Sequence, residues 1–552
     1  MGDFVTPMAF GATHSPTHPL RHIFSSMTRA ALLGFLLVSP AAAAQLTTAE
    51  RSRFTATSSH ADVIAFLDSL ERLSAGIRVG RLATSPQGRA LPYVVASRPL
   101  VDGPSEAHRS GKPVIYIQGN IHGGEIEGKE AAQMLLRDLT LGSLRPLLDS
   151  VVLIVVPIYN ADGNDAFGPT ERNRGSQNGP PIVGLRANGQ GLDLNRDYIK
   201  LEAPETRGAA ALLERWDPDL FLDLHTTNGS RHGYVLTYAP GLNPNTSAAN
   251  DYIQDQFLPE VRTRMRSRHR QEIFPYGNFR NADSLVFGWE TYDSRPRFGV
   301  NWQPLRGRMA ILSEAYSHAP FEVRVSATYN FVLEVLRLAA AERSTIKSLV
   351  LGATRRRPDS VTVRSVLAPP REMEVVAELT ERVEPTQGGG PFARRRPTGV
   401  FRTIRMPVYD RFTSARKEAI PAAYLLPPQH QAIADLLRTQ GVEVRRVMSA
   451  WQGPGEAFRV DSLSVQQLFE GHRTISVEGA WRSRDVSLTP GWFLISTDQR
   501  LGTFAAYLLE PASEDGLVTW NFLDRDLRRG QDAPVLRVRR PLNIPTALLP
   551  LP

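Results

Sequence analysis

Between about residues 50 and 345, short apolar runs alternate with longer amphipathic stretches, and this alternation limits the folds open to the chain. Four apolar runs end at polar, Gly or Pro residues and predict strands: Pro113–Gly119, Val151–Ile158, Asp219–Leu224 and Met309–Leu312. Four amphipathic stretches predict helices: Glu127–Leu139, Pro204–Trp216, Asn250–Arg266 and Phe321–Ser344. The pattern favours an α/β fold, with a mixed, mostly parallel sheet flanked by helices on both faces, over residues 45–345.

The sequence changes character after residue 345. Residues 346–400 are rich in Pro, Gly and Arg around 369–400 and predict a connecting segment. Residues 401–552 predict a smaller C-terminal accessory domain of α/β or β-rich type. Within it, the sequence predicts a strand–helix–strand unit with its strands at Ala422–Leu426 and Val442–Val447 and its helix at Gln429–Gln440. Further strands are predicted at Thr474–Val477 and Trp492–Ile495. No catalytic constellation is found there.

The first 44 residues resemble a signal peptide. Arg29 precedes the apolar run Ala30–Val38, and Ala42–Ala44 before Gln45 offers a small-residue cleavage site, so we predict export to the periplasm or the extracellular space. Translation could begin at Met27, because the stretch before it is long for a charged leader region. The chain has no apolar run of about 18 residues, so no membrane span is predicted.

The positive charge does not indicate a nucleic-acid partner. The formal net charge is +8 at pH 7, but only five of the 64 basic residues are lysine, and the arginines are scattered along the chain. No basic stripe interleaved with aromatic residues is present, although such a stripe is typical of proteins that bind single-stranded nucleic acid. We interpret the charge as a bias in residue usage.

The chain contains no cysteine, so a metal would have to be bound by His, Asp or Glu. His122 and Glu125 follow the predicted strand Pro113–Gly119 in the sequence His-Gly-Gly-Glu, where both side chains could reach one cation. The same spacing recurs at His269 and Glu272, but no strand precedes it, and we interpret that pair as a surface feature. The structural context therefore selects His122 and Glu125.

A catalytic zinc site usually has three protein ligands and one open position. His225 directly follows the predicted strand Asp219–Leu224, and the carboxyl ends of parallel strands meet at one edge of a sheet. We therefore predict His225 as the third ligand, with His232 and His318 as the next candidates.

A polar segment between two predicted elements could recognise a carboxylate. Asn195 and Arg196 combine an amide with a planar guanidinium, which are donors that bind a carboxylate well. Asp193 could accept a hydrogen bond from the free ring N–H of a metal-bound histidine and fix its orientation.

Taken together, these motifs resemble the zinc metallocarboxypeptidases of the carboxypeptidase A-like (funnelin) family. The matching motifs follow the family's order over roughly residues 80–345: His122-x-x-Glu125, Asn160-Ala161-Asp162-Gly163, Asp193-x-Asn195-Arg196, His225 and Glu314. The resemblance implies that Zn²⁺ binds His122, Glu125 and His225, that Asp193 supports the first histidine, and that Asn195 and Arg196 hold the terminal carboxylate of a peptide substrate.

The resemblance also implies roles for residues outside these motifs. Glu314 corresponds to the general base and acid, and Tyr292 to a mobile tyrosine that closes over the substrate. Val300 corresponds to the position that sets specificity, where an uncharged residue accompanies a preference for apolar terminal residues. The oxyanion-stabilising arginine is ambiguous, because Arg172, Arg174 and Arg186 lie in the same interval; we favour Arg174 or Arg186.

The sequence therefore predicts a zinc-dependent carboxypeptidase that acts on peptides with a free C-terminal carboxylate. Two alternatives stay open. One is a zinc amidase that cleaves cell-wall peptides or N-acyl amino acids. The other is a catalytically silent module that binds peptides in the same cleft. The oligomeric state is not predicted.

Overall fold

The computed structural model describes residues 45–383 and 395–550. Eight strands form the largest sheet: β1 (Ile77–Thr84), β2 (Ala90–Ala96), β3 (Val114–Gly119), β4 (Val152–Val156), β5 (Leu220–Thr226), β6 (Leu236–Pro240), β7 (Ile273–Pro275) and β8 (Met309–Ala315). Their order is β1-β2-β4-β3-β5-β8-β6-β7. The central strands β4, β3, β5 and β8 are parallel, whereas β1, β2 and β6 join through antiparallel pairings. The predicted mixed, mostly parallel sheet is confirmed.

In the described part of the chain, the α-helices of seven or more residues that accompany this sheet are α1 (His60–Leu73), α2 (Glu127–Thr140), α3 (Pro204–Trp216), α4 (Leu258–His269), α5 (Gly299–Leu305), α6 (Phe321–Ala341) and α7 (Arg343–Arg355). Successive strand residues point to opposite faces, so each face of the sheet has its own apolar core. Ile115 and Ile117 pack in one core with α1, α2, α4 and α6, whereas Val114 and Tyr116 belong to the other core with α3 and α5. Helices therefore cover both faces, as predicted.

The segment predicted to connect two domains contains regular structure. It holds most of α7 and two strands, β9 (Ser360–Leu367) and β10 (Arg371–Arg382), and its end enters β11 (Arg395–Tyr409). Strand β10 pairs with β11, and β9 with β12 (Phe412–Ala419). Much of this region is exposed, which explains why its composition resembles that of a loop. The division into separate catalytic and accessory domains stays a prediction.

The C-terminal region forms a seven-stranded sheet from β13 (Ala423–Leu426), β14 (Arg445–Val447), β15 (Trp451–Phe469), β16 (His472–Leu488), β17 (Phe493–Ser496), β18 (Asp532–Val538) and β19 (Thr546–Leu548). Their order is β16-β15-β18-β13-β17-β14-β19. Helices α8 (Gln431–Thr439) and α9 (Gly502–Leu509) belong to this region. The predicted strand–helix–strand unit corresponds to β13, α8 and β14, and the region combines a dominant sheet with few helices.

None of the helices in residues 45–383 and 395–550 combines the length and apolar content that crossing a bilayer requires. The signal peptide predicted for residues 1–44 lies outside the described residues.

Candidate metal centre and active site

The site lies at the carboxyl ends of three neighbouring strands, β3, β5 and β8. His122 and Glu125 lie in the turn after β3, His225 lies near the end of β5, and Glu314 lies directly opposite His225 in the register of β5 with β8. Side chains that are about 100 residues apart in sequence are brought together because parallel strands end at one edge of the sheet.

A single asparagine side chain holds the turn that carries the first two candidate ligands. Asn120 has a positive φ of 63°, a conformation that asparagine adopts more readily than most residues. Its Nδ2 donates to the carbonyl oxygens of His122, Gly123 and Glu125 at 3.0–3.3 Å. The two glycines permit close packing, because a Cβ on Gly123 would come within 2.2 Å of the Gly163 backbone and one on Gly124 within 2.7 Å of the Arg174 side chain.

His122, Glu125 and His225 converge on one point. Their potential ligand atoms all lie within 4.8 Å of one another, and all three residues are buried. The Nδ1 atom of His122 lies 3.0 Å from one Glu125 oxygen, and the Nδ1 atom of His225 lies 2.9 Å from the other. The three side chains thus meet at the edge of the sheet, where the sequence predicts them to lie.

The surroundings of both imidazoles fit a metal site. The Nε2 atom of His122 lies 3.0 Å from Asp193 Oδ1, and the Nε2 atom of His225 lies 3.1 Å from Asp223 Oδ2. With a carboxylate beside each Nε2, the Nδ1 atoms are the ones that face the common point. Two imidazole nitrogens and a carboxylate form a donor set that zinc accepts, with a fourth position left for water or substrate.

Asp223 was not predicted as a site residue. It is fully buried in β5, and its second oxygen accepts a hydrogen bond from Gln118 Nε2 at 3.0 Å. A sequence signal for it exists, because residues two apart in a strand point to the same face, so Asp223 had to lie beside His225.

The electrostatics of the site separate its carboxylates into two kinds. Burial opposes ionisation of Glu125 and Asp193, but the neighbouring His122 and arginines lower the pKa of both groups well below the usual range. Burial raises the pKa of Glu314 to about 8, with the Glu125 charge adding to this rise, while His225, Arg174 and Arg186 oppose it. Glu314 is therefore the carboxylate of the cluster that most readily takes up a proton.

The structure separates the two candidate oxyanion arginines by their position. Arg174 lies behind Glu125, to which it donates a hydrogen bond of 3.0 Å, and it also donates to the backbone carbonyls of Thr226 and Thr227. Arg186 is 39% exposed, lines the cavity and makes a two-pronged contact with Asp193 at 2.8–3.0 Å. Of these two arginines, Arg186 is the one that lines the cavity, and its guanidinium lies beside His122.

Asn195 and Arg196 lie on a short 3₁₀ turn, Leu194–Arg196, and both line the cavity. The guanidinium of Arg196 stacks at 4.1 Å over the ring of Phe298 and donates to the Asn195 carbonyl. The Asn195 side chain accepts from Gly299 N, and its Nδ2 lies 3.3 Å from His225 Nε2. Arg196 is thus held in place by stacking, with donors left for a ligand.

The cavity around these residues has a volume of about 390 Å³. Val300, on α5, and Leu312, on β8, contribute buried apolar surface to it. Tyr292 also lines it, and its hydroxyl donates to Pro240 O or the Asn301 amide oxygen at 3.3 Å. Burial raises the pKa of the Tyr292 hydroxyl well above its usual value, so the group is a hydrogen-bond donor at neutral pH.

The two alternative histidines do not join the cluster. His232 packs at 4.2 Å against the ring of Tyr316, and burial lowers its pKa to about 3. His318 lies near the Gly229 carbonyl, and burial lowers its pKa to about 4.

The family match and the named relatives of this chain are all carboxypeptidases. Residues 63–335 match the family described as zinc carboxypeptidase. Carboxypeptidase 2 of Trichophyton rubrum is 24% identical over 483 residues, which cover 82% of this chain and 81% of the relative. Human carboxypeptidase Z is 33% identical over 114 residues, covering 18% of this chain and 17% of the relative.

Many solved structures are similar in part, including the following two. The carboxypeptidase A of Helicoverpa armigera has a TM-score of 0.38 and 16% identity, covering 54% of this chain and 79% of the other. A metallo-carboxypeptidase from Burkholderia cenocepacia has a TM-score of 0.36 and 16% identity, covering 51% and 69%. The chain therefore contains a zinc carboxypeptidase domain at residues 63–335.

Proposed function

We propose that this protein removes C-terminal residues from peptides at the cavity that contains His122, Glu125 and His225. The observation that carries the proposal is the convergence of these three side chains, in a cavity that also holds Glu314 and Arg196. In this proposal Zn²⁺, when bound, polarises the scissile carbonyl and makes water a stronger nucleophile near neutral pH. The convergence also argues against the silent binding module, which needs no such donor set.

We assign Glu314 as the general base. Its carboxylate lines the cavity beside His225. Burial raises its pKa and the charge of a bound Zn²⁺ would lower it toward neutrality, which suits a group that takes a proton from the attacking water and returns it to the leaving amine. We assign Arg186 to the oxyanion, because its guanidinium reaches the cavity beside His122. Such a donor typically contributes about 3–4 kcal/mol to lowering the barrier. Arg174 instead holds Glu125 in place.

We assign Arg196, assisted by Asn195, to the terminal carboxylate of the substrate. Besides Asp193 at 3.9 Å, the partly buried Arg196 guanidinium would meet no carboxylate from a substrate bound through an internal peptide bond, so Arg196 gives exopeptidase selectivity. Val300 and Leu312 favour an apolar terminal side chain, and Tyr292 donates to the bound substrate once its hydroxyl turns away from Pro240 O and the Asn301 amide oxygen. We further propose that the protein is exported, on the basis of the pattern in residues 1–44.

The test combines substrate choice with one substitution. The wild-type protein is expected to release terminal amino acids from peptides with a free C-terminus, but not from the same peptides with a C-terminal amide, and to lose this activity with a chelator. Glu314→Gln is expected to lower kcat at least about 100-fold while keeping one zinc ion per chain, because it removes a base and not a ligand. Mass spectrometry and elemental analysis measure these results.

Glu322→Gln, an exposed substitution on α6, is the matched control and should behave as wild type. Activity that survives complete removal of zinc contradicts the proposal. Loss of zinc from Glu314→Gln would show that Glu314 is misassigned. Turnover restricted to isopeptide or D-centre bonds would favour the amidase.

A further inference from the structure

The C-terminal region contributes a side chain to the cavity. Strands β15 and β16 form a long hairpin whose last pair is Phe469 with His472. The turn between them is Glu470-Gly471, and both residues have positive φ, 48° and 78°. This is the conformation of a tight two-residue hairpin turn. At the tip, Phe469 lines the same cavity as His122, Glu314 and Arg196.

Two contacts hold the hairpin tip, defined here as residues 469–472, against the catalytic region, and a third, to Asn521, holds it within the C-terminal region. Glu470 Oε2 accepts a hydrogen bond of 3.2 Å from the backbone N–H of Asp193, the residue that supports His122. The ring of His472 lies 2.8 Å from Glu202 Oε1 and 3.1 Å from Asn521 Oδ1 through its two nitrogens. The tip is therefore fixed by the two residues Glu470 and His472 that follow Phe469, next to the segment that carries Arg196.

The Phe469 ring is oriented but not fully covered. The guanidinium of Arg297 lies 5.2 Å from its centroid and 4.7 Å from that of Trp520, and the Phe469 and Trp520 rings are 6.2 Å apart. Arg297 is itself fixed by Asp515 at 2.6 Å. Nevertheless, Phe469 is 36% exposed, in a cavity where most other lining side chains are polar or charged. A preorganised apolar surface at such a place gains free energy by contact with an apolar ligand group.

We propose that Phe469 is a specificity-determining residue, which contacts an apolar side chain of the bound peptide, and that the hairpin tip is a wall of the substrate site. This inference rests on the proposed function for the identity of the substrate. It gives the C-terminal region a role in selecting peptides, with the hairpin as the structural link. Because Phe469 lies outside the group of charged residues assigned to the chemistry, its contribution is to binding and not to the chemical step.

The experiment compares N-blocked peptides that differ only in the size of one apolar side chain, placed in turn at the terminal and the penultimate residue. Phe469→Ala is expected to raise KM about tenfold for peptides with Leu or Phe at one of these places, to leave kcat nearly unchanged, and to have little effect with Gly or Ala there. Phe469→Leu should restore most of the affinity. Leu468→Ala is the matched control, since Leu468 is the neighbouring hairpin residue, 68% exposed and away from the cavity.

A second measurement separates this inference from the proposed function. Binding of the same peptides is measured by calorimetry on Glu314→Gln and on the double variant with Phe469→Ala, so no turnover is required. Weaker binding of only the large apolar peptides by the double variant supports the role of Phe469, even if the wild-type protein hydrolyses none of them. If Phe469→Ala changes neither KM nor binding for any of the peptides, while the wild-type protein hydrolyses them, the inference is overturned and the proposed function stands.

Discussion

Among single residues, Asp223 belongs to the metal centre although no sequence motif indicates it. Its carboxylate is fully buried and lies 3.1 Å from His225 Nε2. Asp223→Asn removes the charge that orients this imidazole, so we expect zinc affinity to fall about 10- to 100-fold, a typical effect of losing such a partner. Competition with a fluorescent chelator measures this affinity.

Asp68→Asn, an exposed substitution on α1, is the control for the Asp223 variant. Circular dichroism must show that both variants are folded. A folded Asp223→Asn protein that binds zinc as tightly as wild type would mean that Asp223 only fills space beside His225.

How much of the site the sequence predicts depends on where each residue lies. His122, Glu125 and His225 were predicted to meet because they follow predicted strands, and strand ends share a sheet edge. Arg174 and Arg186 were not distinguished, because the stretch between them is mostly loop and turn, without periodicity that would place a side chain. Phe469 could not be predicted at all, since only tertiary packing brings the hairpin tip to the cavity.

At the scale of elements, Glu334 joins two helices on one face of the sheet. Its side chain is buried on α6 and contacts Arg268 and His269 on α4 at 3.0 Å, and Arg337 on its own helix at 2.7 Å. Burial raises the pKa of Glu334, but these partners outweigh it and lower the pKa to about 2. Because this pKa is depressed on folding, the ionised group stabilises the protein above pH 4.5, its ordinary value, and the contribution is lost as the pH falls toward 2.

Glu334→Gln is therefore expected to lower the free energy of unfolding at pH 7 by about 1–2 kcal/mol, because the exposed arginine partners are partly screened by solvent. The difference from wild type should shrink steadily between about pH 4.5 and pH 2. Urea unfolding at several pH values measures it, with Glu322→Gln on the same helix as the control. A difference that does not change with pH would show that packing, and not charge, is responsible.

Elements were predicted well where one face is apolar and poorly where both are exposed. Helix α3 has the predicted bounds, and β3 begins one residue later than predicted. The predicted helix Asn250–Arg266 instead starts at Ala248, contains a π-helical turn at Ile253–Phe257 and ends at His269. For the hairpin of β15 and β16, only Thr474–Val477 was predicted, because its distal residues are exposed on both faces and lack the alternation that indicates a strand.

At the scale of the whole molecule, the C-terminal region and the catalytic sheet share one apolar core. Trp302, on α5, packs edge-to-face on Phe504, on α9, with ring centroids 6.3 Å apart, and its Nε1 donates to Gln440 Oε1 at 3.0 Å. The Nε2 atom of Gln440 in turn donates to the backbone carbonyls of Tyr198 and Ile199. These contacts are as buried as those within either region. Domains joined in this way unfold together when the interface supplies a large share of their stability.

We expect the full chain to unfold in a single thermal transition. Phe504→Ala, a substitution within the C-terminal region, should lower the stability of the whole chain by about 3–5 kcal/mol, because it leaves a cavity against Trp302. The unfolding temperature measured by calorimetry and the temperature at which peptidase activity is lost should therefore fall together. Val465→Ala, on the exposed part of the hairpin, should move neither. Two transitions, of which Phe504→Ala shifts only one, would instead establish that residues 45–345 and 401–552 fold independently.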